Sequence, residues 1–234
     1  MAINFNSNLN NTRPVYDIAL PSLDDELTSR GKVFQSIIDN SFVLDVGCDT
    51  GLFGEALIQN KRCIVHGIEP YEEAASTAKT RLNQVFIRNV VNEQSFEGLS
   101  NYDAILFLDV LEHLIDIWAI LKGAWQTLRP GGKIFIVVPN AAHIALVRRL
   151  FVGEFEYSDY GTMDRTHLRW FTRKSLKKVL EETGFVDVNV DVSPQIPFLR
   201  GESKISKLIG KQLTTIFPDQ LGGSIVGQAK KPTL

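Results

Sequence analysis

The chain predicts a doubly wound α/β fold, and three observations carry that prediction. Short apolar runs near 42–47, 63–69, 84–88, 102–108 and 132–138 alternate with helical periodicities near 51–60, 71–82, 113–128 and 173–183. Strands alternating with helices at this spacing need right-handed crossovers and so build a parallel sheet. The first run, Val43-Leu44-Asp45-Val46, breaks into Gly47-Cys48-Asp49-Thr50-Gly51 and then into a segment with Leu52, Phe53, Ala56 and Leu57 on one face. The second run, Cys63 to Ile68, ends in Glu69, 22 residues after Gly47. Strand, glycine turn and helix form a nucleotide-cofactor cradle, and a carboxylate at the tip of the second strand is the bidentate acceptor a ribose diol needs.

Each element has its own signal. Residues 1–20 read as a polar, Asn-rich lead-in, and Leu23 to Asp39 as a helix with Leu23, Leu27, Phe34, Ile37 and Ile38 on its apolar side. The helix expected over 113–128 has the clearest period, with Leu114, Ile117, Trp118, Leu121, Trp125 and Leu128. Pro130-Gly131-Gly132 ends it as a turn and launches the next strand. Phe185 to Val192 alternates apolar and polar, as a strand at a less buried position does, and Ser224 to Ala229 is a closing strand. Residues 139–171 and 193–222 then read as substrate or lid insertions, within one domain spanning 1–234.

At 234 residues, 44% of them hydrophobic, the chain suffices for one full α/β domain. A formal net charge of −2 argues against a general nucleic-acid binder. No run approaches the ~20 apolar residues of a spanning helix, and Met1 to Pro14 has no apolar signal core. The two cysteines fall in core or cofactor-loop positions, so the expectation is a reduced, cytoplasmic protein without disulfides.

Four pieces arrive in order: Val43–Gly51, Gly67-Ile68-Glu69-Pro70, Tyr102–His113 and Leu128-Arg129-Pro130-Gly131-Gly132. With them the chain resembles the class I S-adenosylmethionine-dependent methyltransferases over roughly residues 30–190. A narrower likeness, through Val138–His143, Gly153–Tyr157 and Asp164–Thr172, points to a bacterial small-molecule subgroup associated with polysaccharide or glycoconjugate assembly. The resemblance implies a Rossmann-like seven-stranded sheet of order 3-2-1-4-5-7-6, strand 7 antiparallel, with helices on both faces. It implies S-adenosyl-L-methionine as cofactor. The acceptor would be a small molecule, first a sugar, nucleotide-sugar or glycan, with a quinone or other metabolite as alternative. A cofactor-binding subunit without transfer activity and a metal-dependent RNA 2′-O-methyltransferase are further alternatives.

On this reading Gly47, Cys48, Asp49 and Gly51 approach the methionine end of the cofactor, Asp45 takes its ammonium group, and Glu69 takes the ribose hydroxyls. Pro70, Asn89 and Val90 border the adenine slot, where Asn89 replaces the usual acid as acceptor. Asp49 stands where the family has glycine, and aspartate tolerates left-handed backbone angles. Cys48 reads as a small packed side chain. Asp109, at the end of the fourth strand, serves both the cofactor and the chemistry. Removing a proton from a hydroxyl acceptor needs a base, and His167 leads the candidates, followed by His113 and His143. The structural alternatives are a helix-start role for His113, a backbone-bonded loop role for His143, and a salt-bridge network of Asp164 with the neighbouring arginines. A metal-free site is the expectation. A divalent ion on Asp109, Glu112, His113 and His167 is the alternative, by likeness to metal-dependent 2′-O-methyltransferases. Arg165, Arg169 and Arg173 are offered to a phosphate-bearing acceptor, while Lys174, Lys177 and Lys178 read as a solvated face. Ile205, Leu208, Ile209, Leu213 and Ile216 interleave with Lys204, Lys207 and Lys211 as a basic amphipathic helix over 203–217. It reads as a lid or dimer helix, or alternatively as a peripheral membrane contact. Nothing in the sequence fixes an oligomeric state.

Overall fold

The computed structural model describes residues 23–194 and 204–233. The lead-in before residue 23 and the middle of the 193–222 insertion lie outside the described residues, as do the side chains of Lys204, Ile205, Lys207, Leu208 and Lys211. Seven strands form one sheet: β1 (Phe42–Val46), β2 (Ile64–Ile68), β3 (Gln84–Phe86), β4 (Tyr102–Leu108), β5 (Leu128–Pro139), β6 (Val186–Pro194) and β7 (Gly222–Lys230). Their order is β3-β2-β1-β4-β5-β7-β6, the expected one. β1 to β5 pair in parallel, and β7 runs antiparallel between β5 and β6.

The central strands are apolar on both faces because helices cover both. Along β4, Ile105 and Phe107 enter one core with Leu44, Ile134, Ile136 and the buried side of α4 (Ile117–Thr127) and α6 (Arg173–Glu182). Ala104, Leu106 and Leu108 face the other core, with Val43, Phe135, Val137, α1 (Ser29–Ser36) and α2 (Leu52–Lys61). The alternation is the period-two geometry of a strand. β6 is an edge strand, and its half-exposed pattern is the alternation read at 185–192.

Several boundaries differ from the sequence reading for local reasons. The first helix starts at Ser29, where Thr28 Oγ1 accepts from Gly31 N at 2.9 Å, and ends at Ser36, leaving Ile38 70% exposed. α3 (Glu72–Ala78) is shorter than 71–82. α4 starts at Ile117, because Asp116 caps it through Ala119 N and residues Leu111–His113 form a separate 3₁₀ turn. Trp118, counted on the apolar side of that helix, is 43% exposed. Pro130-Gly131-Gly132 is a bulge inside β5, not a turn before it: Tyr102 pairs Leu128, Ala104 pairs Lys133, and Gly131 at φ +77° donates to Lys231 O. A short helix α5 (Ile144–Phe151) follows β5 and was not foreseen. α7 (Lys204–Ile216) occupies the expected basic stretch, and α8 (Pro218–Leu221) leads into β7. Among the described residues no helix is long and apolar enough to cross a membrane.

Candidate active site

The carboxyl ends of β1, β2 and β4 build one half of the site. Gly47 N and Cys48 N both donate to Ile68 O, at 2.8 and 3.1 Å, which ties the turn after β1 to the tip of β2. Gly47 sits at φ +73°, and a Cβ there would stand 2.6 Å from Val110 Cγ2, so both backbone angle and space demand glycine. Asp49 adopts φ +50°, the left-handed conformation its side chain tolerates. Its N–H donates to Glu69 Oε2 at 2.9 Å, and Tyr71 N donates to Oε1 at 3.0 Å. Backbone donors therefore orient both oxygens of Glu69, which is 5% exposed at the mouth of the crevice. Gly51, at φ +81°, opens α2 against Leu82 and Ala78.

Asp45 lies under the turn at 3% exposure. Burial raises its carboxyl to about 7, with Arg30 opposing and Glu69 adding to the rise. Burial, with Asp45 and Glu69 nearby, pushes the Cys48 thiol far up, and its sulfur packs against Gly67. That is an inert packed thiol. Pro70 and Asn89 are exposed, while Val90 is buried in the core beside Ile68. Val90 is therefore a core side chain.

Asp109 closes β4 in the left-handed region at φ +61°, its N–H donating to Val137 O at 2.9 Å. Arg30 Nη2 donates to its Oδ2 at 3.0 Å. Its side chain is 44% accessible, yet protein crowds much of its surroundings. That desolvation raises its pKa against the pull of Arg30 and His167. The sequence reading missed Arg30, because nothing in the chain says where α1 docks.

The other half joins the 3₁₀ turn after β4 to the loop before α6. Glu112 O accepts from Leu168 N at 2.7 Å and Arg169 N at 3.0 Å. Asp164, 2% exposed, accepts from Thr166 N and Oγ1 and so shapes the loop. Thr166 Oγ1, having given its proton to Asp164, accepts from His113 Nδ1 at 3.1 Å. His167 Nδ1 faces Thr162 O at 3.0 Å and is therefore the donor. With each Nδ1 engaged as a donor, Nε2 is the nitrogen left to accept a proton whenever the ring is neutral. The rings stand 4.8 Å apart at 72°. Burial, with His167 adding, lowers the pKa of His113 and keeps it neutral.

Glu112 is 1% exposed, and its Oε2 has no hydrogen-bond partner among the described residues. Burial first, then the Asp109 charge, drives its pKa well above the usual carboxylate range. Ligand atoms of Glu112, His113 and His167 lie within 4.8 Å of one another. A buried carboxylate oxygen without a partner beside two imidazoles fits a divalent cation, and it fits a proton equally well.

Other candidates take structural places. His143 caps α5, its Nδ1 accepting from Ala145 N at 3.3 Å, and it stands outside the Glu112–His113–His167 cluster. Asn140 is fully buried and bonds Asp219 O, Gly222 O and Ala142 N, stitching β5 to α8 and β7. The arginines near Asp164 turn elsewhere: Arg165 pairs with Asp159, Arg169 donates to Ile115 O, and Arg173 pairs with Asp219.

Known proteins resemble the chain in sequence and in fold. The human mitochondrial ubiquinone biosynthesis O-methyltransferase is 27% identical over 150 residues, covering 61% of this chain and 40% of that protein. Its counterpart from Rhizobium etli is 31% identical over 116 residues, 48% of this chain and 46% of the relative. The chain thus spans about half the length of the curated relatives it matches. A solved methyltransferase from Archaeoglobus fulgidus superposes with a TM-score of 0.64 at 17% identity, over 87% of this chain and 92% of that one, a likeness of fold. A methyltransferase-domain profile matches residues 24–190, from the helix that carries Arg30 through the loop that carries His167, and the chain belongs to that methyltransferase family.

Proposed function

We propose that the chain binds S-adenosylmethionine in the Gly47–Gly51 crevice and transfers its methyl group to a hydroxyl of a small acceptor, with a phenolic or quinol hydroxyl as the best supported class. The observation that carries this reading is the cluster of Glu112, His113 and His167 at the end of β4, within 4.8 Å of one another. A methyl carbon on a sulfonium is already electrophilic, so the protein has to align the acceptor and accept its proton. The acceptor oxygen's electron pair forms the new C–O bond, the C–S pair returns to sulfur as a neutral thioether, and the hydroxyl proton passes to His167 Nε2. Glu69 receives the ribose, Asp45 the ammonium group, and Pro70 and Asn89 border the adenine. A divalent cation, when held by Glu112, His113 and His167, would lower the pKa of a coordinated hydroxyl. The names of the relatives favour the quinol class, while nothing in the site or the relatives favours a sugar. Asp49, standing where the family has glycine, fits this reading because its backbone makes the left-handed turn and bonds Glu69.

The test is methyl transfer from labelled S-adenosylmethionine to catechol-bearing quinol precursors and, in parallel, to nucleotide sugars, each with EDTA or added Mg²⁺, Mn²⁺ or Zn²⁺. Labelled phenolic ether is the expected product. Label on the sugar arm alone overturns the acceptor class, and cofactor binding without transfer to any fraction of a metabolite extract supports a non-catalytic subunit. Indifference to both chelator and metals removes the cation.

A further inference from the structure

Both imidazoles of the site are held by Asp164, by different parts of it. Its buried carboxyl, through Oδ1, accepts from Thr166 N at 2.8 Å and from Thr166 Oγ1 at 2.7 Å. Those two bonds fix the residue that His113 faces: Thr166 Oγ1 lies 3.1 Å from His113 Nδ1, and Thr166 O lies 3.3 Å from it. A carbonyl oxygen only accepts, so His113 Nδ1 carries the proton. The hydroxyl beside that N–H accepts as well and sends its own proton to Asp164. The chain His113, Thr166, Asp164 therefore runs one way and ends on a buried carboxyl. His167 is held without that carboxyl. Its N–H donates to Asp164 O at 3.0 Å, and its Nδ1 donates to Thr162 O at 3.0 Å. A neutral imidazole offers a lone pair at one nitrogen and an N–H at the other, and the tautomer decides which is where. A site that takes up a hydroxyl proton gains from a lone pair and is opposed by an N–H. A ring nitrogen that binds a divalent cation has the same requirement.

We propose that Asp164 is a positioning residue for methyl transfer that acts through Thr166 on His113, holding that ring in its Nδ1–H form so that Nε2 is left as an acceptor in the cluster with Glu112 and His167. The inference rests on the proton-accepting role given to the histidine pair under the proposed function. It involves hydrogen bonds only. The carboxyl orders the hydroxyl, the hydroxyl orders the imidazole, and the imidazole is the group that faces the chemistry. His167, fixed by backbone carbonyls, does not need the relay, and that difference makes it an internal control.

Long-range proton–nitrogen NMR spectra of the histidine side chains in the full chain read the tautomer directly. They are paired with kcat for methyl transfer to catechol and with calorimetry of S-adenosylmethionine. In the natural chain both His113 and His167 are expected in the Nδ1–H form. Asp164→Ala is expected to give His113 a mixture of both forms and to leave His167 unchanged. It lowers kcat about 10- to 100-fold, the usual cost of losing a group that orients a working imidazole. Cofactor affinity stays within about twofold, which also shows that the variant is folded. Asp164→Asn keeps an oxygen for both Thr166 donors and restores the His113 form with most of kcat. Thr166→Val keeps the backbone carbonyl and loses the hydroxyl, so it falls between, while Thr166→Ser matches the natural chain. If Asp164→Ala loses cofactor binding through misfolding, the Val and Ser variants decide in its place. A His113 that stays in the Nδ1–H form in the folded variants, or a kcat that falls without any change of tautomer, assigns Asp164 to loop folding alone and overturns the proposal. A natural chain that holds His113 as Nδ1–H, binds the cofactor and methylates no acceptor defeats the proposed function instead, and the spectra tell the two failures apart.

Discussion

The Gly47–Gly51 turn and the His113–His167 pair stand at the same edge of one sheet, yet different forces hold them. The turn is a backbone construction. Its N–H groups bond Ile68 O and Glu69, and its shape follows from three consecutive demands for left-handed or unobstructed residues at 47, 49 and 51. The histidine pair is a side-chain construction. It depends on Thr166, Thr162 and Asp164, in a loop that reaches the β4 turn through two hydrogen bonds to Glu112 O. A site fixed by backbone tolerates few sequences and keeps its ligand. A site fixed by loop side chains can be rebuilt for another acceptor without disturbing the cofactor.

The largest expected effect separates the halves directly. His167→Asn should lower kcat by about 10²- to 10⁴-fold, the usual contribution of a positioned base, while cofactor affinity stays within about twofold. Kinetics and calorimetry together check it, and a parallel loss of cofactor binding would make His167 part of the scaffold. Glu69→Gln acts on the other half. It places an amide N–H₂ against a backbone donor and removes the charge offered to the ribose, so cofactor affinity should fall about 10- to 100-fold with kcat little changed at saturation.

Asp45 sharpens the comparison through pH. Its native pKa of about 7 lies above the ~4 of an unfolded aspartate. The native state then holds the proton more tightly than the unfolded one. The stability this contributes is present below about pH 4 and is lost as pH rises through about 7. Asp45→Asn keeps its neutral form throughout, so its melting temperature should gain on the natural chain between about pH 5 and 8, by on the order of a few kcal/mol in stability. His113, pushed down by burial, works in the opposite direction and cancels in that difference. The smallest effect is Asp49→Gly. Relief of the positive φ should raise stability by no more than about 1 kcal/mol, read as a small rise in melting temperature with cofactor affinity nearly unchanged. A large loss of affinity instead would show that the Asp49 carboxylate touches the cofactor.

Legibility in the sequence follows the same division. The glycine turn and Glu69 could be read because each is local and the two are bound by spacing, whereas the strand order came with the family resemblance. Pro130-Gly131-Gly132 misled because a glycine pair signals a turn equally well when it bulges inside a strand, and here Lys231, a hundred residues on, decides between them. Helix α5 was missed because it is short and the fold buries little of it: Leu146 is covered, while Val147, Leu150 and Phe151 are exposed, so its apolar side marks no core face. His143 was legible as a chemical group and not as a cap. Arg30 was invisible, since its partner is set by how α1 packs on β5 and β7.

The place of β7 bears on how the chain reaches this state. β7 follows β6 in sequence but inserts between β5 and β6, bonding both. Until residues 222–230 arrive, β5 has an open edge of apolar residues and β6 has no neighbour in the sheet. The pairing also anchors Asn140 and, through Asp219, Arg173 at the start of α6, which lies just beyond the histidine loop. During synthesis the cofactor cradle can therefore close early, while the acceptor side waits for a late, long-range pairing of the kind that folds slowly and is exposed to aggregation in the interval.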